Sequence, residues 1–339
     1  MNVISFPGLG IDNFELDPVA FTLFGRDVMW YGVIITFGII CACLYAKAHL
    51  RYESIDTDTF FDLAFCLVLL SIAGARLYYV IFYGGFVEKG GSFWQNLTGT
   101  LYNIIAIWNG GLAIYGAIIT GAVVIFVFGI VRHVNIVKML DAVGPAVLLG
   151  QAIGRWGNFT NAEAHGGETE IFCRMGIQYG GYGEMRYYHP TFLYESLWNI
   201  IGVIILTLLY KKKKHNGQIV LGYFCWYGFG RMLIEGLRTD SLYIGSIRVS
   251  QLVGLICFAV SVVLLLAGTK WAEKIPALRL DALSGCEAKC RAEEEAEQKA
   301  KEKRNAKKSG KIIKNTEVSE NGEVPESETE SEEKDNGNN

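Results

Sequence analysis

The first 270 residues hold few charges, and after Asp141 no charged side chain occurs until Arg155. Nearly half of the lysine, arginine and glutamate lies in the last 65 of the 339 residues, and the net charge of −3 mainly describes that tail. The N-terminus lacks a basic region before its first apolar run, which argues against a cleaved signal peptide. No internal repeat relates one half of the apolar region to the other, which weighs against transporter folds built from repeats. Metal-ligand spacing is absent too: Cys286 and Cys290 form an isolated C-x-x-x-C, too little for a zinc site. No metal, cofactor or nucleic acid is therefore expected.

Apolar surface is abundant. Hydrophobic residues make up 51% of the chain, with 39 glycines and a mean hydropathy of +0.27. That profile excludes an ordinary soluble α/β enzyme and predicts an all-α integral membrane protein. Cys41, Cys43, Cys66, Cys225 and Cys257 fall inside apolar stretches, where a thiol behaves as a small hydrophobe. Seven segments are long enough to cross a bilayer, near 28–48, 60–83, 109–131, 139–160, 192–210, 218–237 and 249–269.

Lys47, Arg51, Arg132, Lys138 and the run Lys211 to Lys214 put eight positive charges after the first, third and fifth spans; the opposite segments carry six. The positive-inside rule then predicts the N-terminus outside and the C-terminus in the cytosol. Lys211 to Lys214 reads as a topogenic block. A membrane domain over 1–272 and a charged, disordered cytoplasmic tail over 273–339 follow from the change in composition. "LSGC" at 283–286 is similar to a lipobox, but it falls on the expected cytosolic side and is read as ordinary tail sequence.

Arg76, Arg155 and Arg231 interrupt or end the second, fourth and sixth spans, all in the expected outer half. A buried guanidinium costs about 2.5 to 3.5 kcal/mol even on the lenient insertion scale, so three together call for a purpose. Tyr227, Arg231, Glu235 and Arg238 lie on one helical stripe. Arg155 shares a face with Asn158, while Ala146, Gly150 and Gly154 form a ridge of small residues suited to close helix approach. Clustered arginines near headgroup level suit a phosphate, whose oxygens match the guanidinium fork. The expected ligand is a phospholipid headgroup. A second reading has Glu163, Glu195 and Glu235 neutralising the arginines, and the two readings are compatible.

The segment "GRWGNFTNAEAHG" carries Gly154, Arg155, Gly157, Asn158, Phe159, Asn161, Glu163 and Gly166 at the spacing of the bacterial prolipoprotein diacylglyceryl transferase signature, which it resembles. "WYG" at 30–32, "GARLYYVIFY" at 74–83, "WNGGLAIYG" at 108–116, "HPTFLYE" at 189–195 and "YGFGRMLIEGLR" at 227–238 extend the resemblance in family order. It implies a seven-helix protein of the bacterial cytoplasmic membrane. The implied reaction moves the diacylglyceryl unit of phosphatidylglycerol onto the lipobox cysteine of a prolipoprotein signal peptide, forming a thioether and releasing glycerol phosphate.

The resemblance implies Arg155 and Arg231 as phosphate contacts and Arg76 as a third candidate. Asn158, Asn161 and Glu163 would orient glycerol hydroxyls or lock the arginines, with Tyr31, Tyr227 and Gly166 completing the lipid site. Tyr115 stands where some members have a histidine. The thiol proton is therefore left to Glu163, His165, His189, Tyr227 or Tyr115. The rival readings are a phospholipid transporter or flippase and a lipid-binding scaffold. A transit path would need polar residues continuing through the inner half.

Overall fold

The computed structural model describes residues 1–82, 110–239, 243–272 and 274–279, together with positions 99, 102, 241 and 299. The expectations for Trp108, Asn109, Cys286 and Cys290, and for nearly all of the charged tail, lie outside these residues. Seven long helices run through the described chain: α1 (Trp30–Glu53), α2 (Thr57–Phe82), α3 (Ile114–Arg132), α4 (Ile136–Thr160), α5 (Thr191–Tyr210), α6 (Gln218–Ile234) and α7 (Val249–Ala272). Six are long and apolar enough to cross a membrane; α6, at 17 residues, is shorter than the rest. The chain is thus a mostly helical, multi-pass integral membrane protein.

Helix α4 is the axis. Half of its most apolar stretch is buried, against a third or less in the other five spans, and α1, α5 and α6 pack around it. The small-residue ridge makes that possible: a Cβ on Gly154 would lie 3.1 Å from the Ile35 side chain, and one on Gly157 2.9 Å from the Tyr31 ring. At the end where α4 begins, Leu50, Phe60, Leu63, Val134 and Met139 join α1 to α4 in one core cluster. α1 and α2 barely touch each other directly.

Eight short strands among the described residues qualify the all-α expectation. β1 (Asn2–Phe6), β2 (Ile11–Leu16), β5 (Met175–Gln178) and β6 (Arg186–Tyr188) form an antiparallel sheet in the order β2-β1-β5-β6. Ile4 pairs with Ile177, and Met175 with Tyr188. The inward residues Ile4, Phe6, Met175 and Ile177 bury against Ala162 and Phe192, so the sheet ties the N-terminus to the segment after α4. β3 (Val19–Leu23) and β4 (Arg26–Met29) form a hairpin leading into α1, and β7 (Tyr243–Ile244) pairs with β8 (Ile247–Arg248) before α7. The strands were missed because each is only two to six residues long and the central pairing joins segments far apart in sequence.

The lysine block also differs from expectation in one member. Lys213 turns inward to Glu53 and to Asp141 (3.2 Å). Asp141, wholly buried on α4, accepts the backbone N–H groups of Gly217 (2.7 Å), Ile219 (3.0 Å) and Val220 (2.9 Å). It therefore caps α6, whose own N-cap residue is a glycine with no side chain to do so. The fold's hydrogen bonds continue past residue 272: the Asn216 amide donates to the carbonyl of Arg279 (2.6 Å), and Leu278 accepts from its backbone N–H (2.9 Å). All six described cysteines are unpaired thiols.

Candidate active site

The ends of α4 and α6 and the beginning of α5 meet on one carboxylate. Glu195, on the second turn of α5 and 4% exposed, receives Arg155 Nη2 at 2.7 Å, Arg231 Nη1 at 3.2 Å and Arg238 Nη1 at 3.2 Å. Arg231 also approaches Glu235 within 2.8 Å, as the four-residue spacing on α6 allows. That contact is close without being aligned as a hydrogen bond. The polar stripe on α6 thus has its partner on α5, and Glu195 and Glu235 serve as the counter-charges.

Arg155 continues into a second chain of contacts. Its Nη1 donates to Asn158 Oδ1 (3.3 Å), and the Asn158 and Asn161 amides donate to Glu163 Oε1 at 3.0 and 3.2 Å. Glu163 therefore binds two amides rather than an arginine. Ala162 and Ala164 take positive φ to turn the chain sharply after α4. Gly166 makes the close approach that follows: its N–H donates to the His189 carbonyl (2.9 Å), and a Cβ there would lie 2.7 Å from the His189 side chain. It bridges to Arg238, so its place is in the frame that holds the loop against the end of α6.

Beside the cluster lies a cavity of about 620 Å³ bounded mainly by α1, α2 and α4. One end is lined by Tyr31, Gln151, Arg155, Asn158, Tyr227 and Arg231; from there the wall turns apolar through Ile39, Val147, Leu67 and Leu63 to Ala46 and Phe60. Arg155 and Arg231 keep 20% and 16% of their side chains exposed, so both reach the cavity while paired to Glu195. Glu163 and Arg155 lie within electrostatic range of the Tyr31 hydroxyl.

Other sequence candidates stand apart from the cavity wall. Arg76 is buried on α2, stacks on the Tyr79 ring (5.5 Å) and donates to the carbonyls of Gly110 and Gly111 (2.9 Å to the latter). Tyr115, at the start of α3, neighbours the Tyr78 ring and does not line the cavity. His165 has both ring nitrogens engaged: Nδ1 donates to the Gly166 carbonyl (2.9 Å) and Nε2 accepts from the Tyr179 hydroxyl (2.8 Å). Burial, with Tyr188 nearby, pushes that hydroxyl above its ordinary range and keeps it protonated. His189 Nδ1 faces the Tyr194 hydroxyl at 3.3 Å. Of the five proton acceptors named from the sequence, Tyr227 alone is on the cavity wall. Sequence reasoning passed over Gln151, an uncharged amide in an apolar run, and gave Arg238 no role beyond the stripe; its spacing from Arg231 was the available signal.

No group of three or more metal-ligating side chains exists among the described residues. Fold and site together define an integral membrane protein that presents paired guanidinium groups to one end of an otherwise apolar cavity. The chain belongs to the prolipoprotein diacylglyceryl transferase family, whose model matches residues 18–267, and is a transferase. It is 41% identical over 253 residues to a phosphatidylglycerol–prolipoprotein diacylglyceryl transferase of Listeria monocytogenes serotype 4a, covering 73% of this chain and 88% of that protein. The protein of that name from Clostridium kluyveri is 41% identical over 251 residues, covering 73% and 94%. That from Lactobacillus acidophilus is 41% identical over 263 residues, covering 74% and 89%.

Proposed function

We propose that this chain transfers the diacylglyceryl group of phosphatidylglycerol to the lipobox cysteine of prolipoproteins in the bacterial cytoplasmic membrane. It would do so with seven spans, the N-terminus outside, and the charged region after 272 as a cytoplasmic tail. The observation that carries the reading is the cavity's polarity, with two guanidiniums at one end and hydrocarbon along the rest. A phospholipid has the same division.

In the reaction the cysteine acts as its thiolate, its proton passing to water, and the sulfur attacks the glycerol carbon that bears the phosphate. A C–S bond forms, the C–O bond to phosphorus breaks, and glycerol phosphate leaves carrying the electron pair. The phosphate gains a second negative charge as it departs. Arg155 and Arg231, already aimed by Glu195, bind that charge more strongly in the transition state than in the ground state, which is the condition for catalysis. Asn158 and Asn161, through Glu163, hold Arg155 in place. Tyr31 and Tyr227 line the same end of the cavity as the two arginines and in this reading border the headgroup. Arg76 holds the carbonyls of Gly110 and Gly111, and Gly166 fixes the loop after α4 against Arg238.

The flippase alternative needs a polar path through the other half of the bundle, whereas the cavity wall there is Leu63, Phe60, Val143 and Ala46. The test is to incubate the purified protein with labelled phosphatidylglycerol vesicles and a lipobox peptide. A thioether-linked lipopeptide and released glycerol phosphate are expected. Headgroup transfer between leaflets without peptide modification would overturn the reading in favour of transport.

A further inference from the structure

We infer that Gln151 reads an ester carbonyl of the lipid and so selects diacyl over ether-linked donors, positioning the glycerol carbon for attack. The inference rests on the reading of the cavity as a phosphatidylglycerol site. Gln151 lies one helical turn before Arg155 on α4, about 6 Å along the axis toward the apolar part of the cavity. Tyr227 stands likewise one turn before Arg231 on α6. Beyond these two, the wall carries no oxygen- or nitrogen-bearing side chain. A phospholipid with its phosphate on Arg155 and Arg231 and its chains along Leu67 and Leu63 brings its ester carbonyls to this level, because they are the next polar groups after the phosphate.

The amide is poised but incompletely satisfied. Nε2 donates to the Tyr223 hydroxyl (3.2 Å), while Oε1 is buried with no hydrogen-bond partner among the described residues. A buried amide oxygen without a donor is costly, of the order of 1 to 3 kcal/mol. Gln151 lines the cavity while its Oε1 is shut off from it, so Nε2 is the polar atom it holds toward the lipid. One Nε2–H is given to the Tyr223 hydroxyl, and the second is the donor offered to the lipid. Ester carbonyls accept hydrogen bonds and cannot donate them, so they fit this second N–H; ether oxygens are far weaker acceptors. Tyr223 is held for this by stacking on Tyr227, with ring centroids 5.9 Å apart and planes 11° apart. Gln151 is a positioning residue in this scheme, since the carbonyl it holds is at least three bonds from the reacting carbon.

The experiment compares diester with diether phosphatidylglycerol of equal chain length in vesicles, using a lipobox peptide as acceptor. The wild-type protein and Gln151→Leu are assayed in parallel. The wild-type protein is expected to use the diester about tenfold faster, the value of one neutral hydrogen bond. Gln151→Leu should use both lipids at nearly one rate, close to that of the wild type on diether. Equal rates on both lipids in the wild type, or an undiminished preference in Gln151→Leu, would overturn the inference. Should Gln151→Leu fail to insert, Tyr223→Phe carries the same comparison: loss of at least half the preference supports the inference and full retention overturns it. Absence of any lipopeptide from the wild-type protein on either lipid would instead sink the proposed function itself.

Discussion

Two buried ionic clusters sit at opposite ends of α4, and they use their charges differently. At the first end Asp141 takes three backbone N–H groups and Lys213, while Glu53 takes the same lysine and the Tyr210 hydroxyl (2.6 Å). None of these residues touches the cavity. At the second end three arginines converge on Glu195, and two of them also line the cavity. Glu195 and Glu235 together can accept at about eight lone-pair sites, whereas three guanidiniums carry fifteen N–H donors between them. The first cluster is saturated by its own fold; the second keeps donors directed at whatever fills the cavity. Buried charge by itself therefore does not mark a site. Charge that stays under-used beside a cavity does.

Substitution at the saturated end should cost the protein most. Asp141→Ala strips the cap from α6 and leaves Lys213 short of a partner, a loss of about 3 to 5 kcal/mol for a broken buried pair. Thermal unfolding in detergent should show it, with little change in turnover per folded molecule. A stable Asp141→Ala protein with crippled turnover would put function at the wrong end. Arg155→Ala comes next. It leaves Glu195 paired to Arg231 and Arg238, so the fold should hold, while thioether formation drops by about 10² to 10³, the cost of one donor to a developing anion. Wild-type turnover in a properly inserted Arg155→Ala protein would remove the proposed role.

How much of this was legible in the sequence depended on the range of each interaction. The spans were readable because hydrophobicity is a property of contiguous residues: the fourth was expected at 139–160 and α4 runs Ile136–Thr160. The Arg231–Glu235 pair and the Arg155–Asn158 contact were readable from helical spacing. Arg76 was not, because its position within an apolar span gives no sign that its guanidinium is given to the backbone of residues 110 and 111. Lys213 was counted with three similar lysines, and only the placement of Glu53 and Asp141 singles it out. The meeting of Arg155, Arg231 and Arg238 on Glu195 spans 36 to 43 residues of sequence, and no local pattern encodes it.

Glu195→Gln carries the smallest expected effect on kcat/KM and sharpens the comparison most. The substitution keeps the shape and one acceptor oxygen but removes the negative charge that three arginines share. With less competition inside the protein, the guanidiniums should hold an anionic headgroup more tightly in the ground state, lowering KM severalfold. They also lose the anchor that aims them, so kcat should fall by about tenfold, the size of one neutral hydrogen bond. The two changes partly cancel in kcat/KM, the signature of a group acting on orientation rather than on binding alone. Steady-state rates over a range of phosphatidylglycerol fractions in neutral carrier lipid would resolve the split. A parallel collapse of both constants, as for Arg155→Ala, would instead make Glu195 a direct contact of the reacting groups; no change in either would make it a bystander, and the two ends of α4 would then differ less than their geometry indicates.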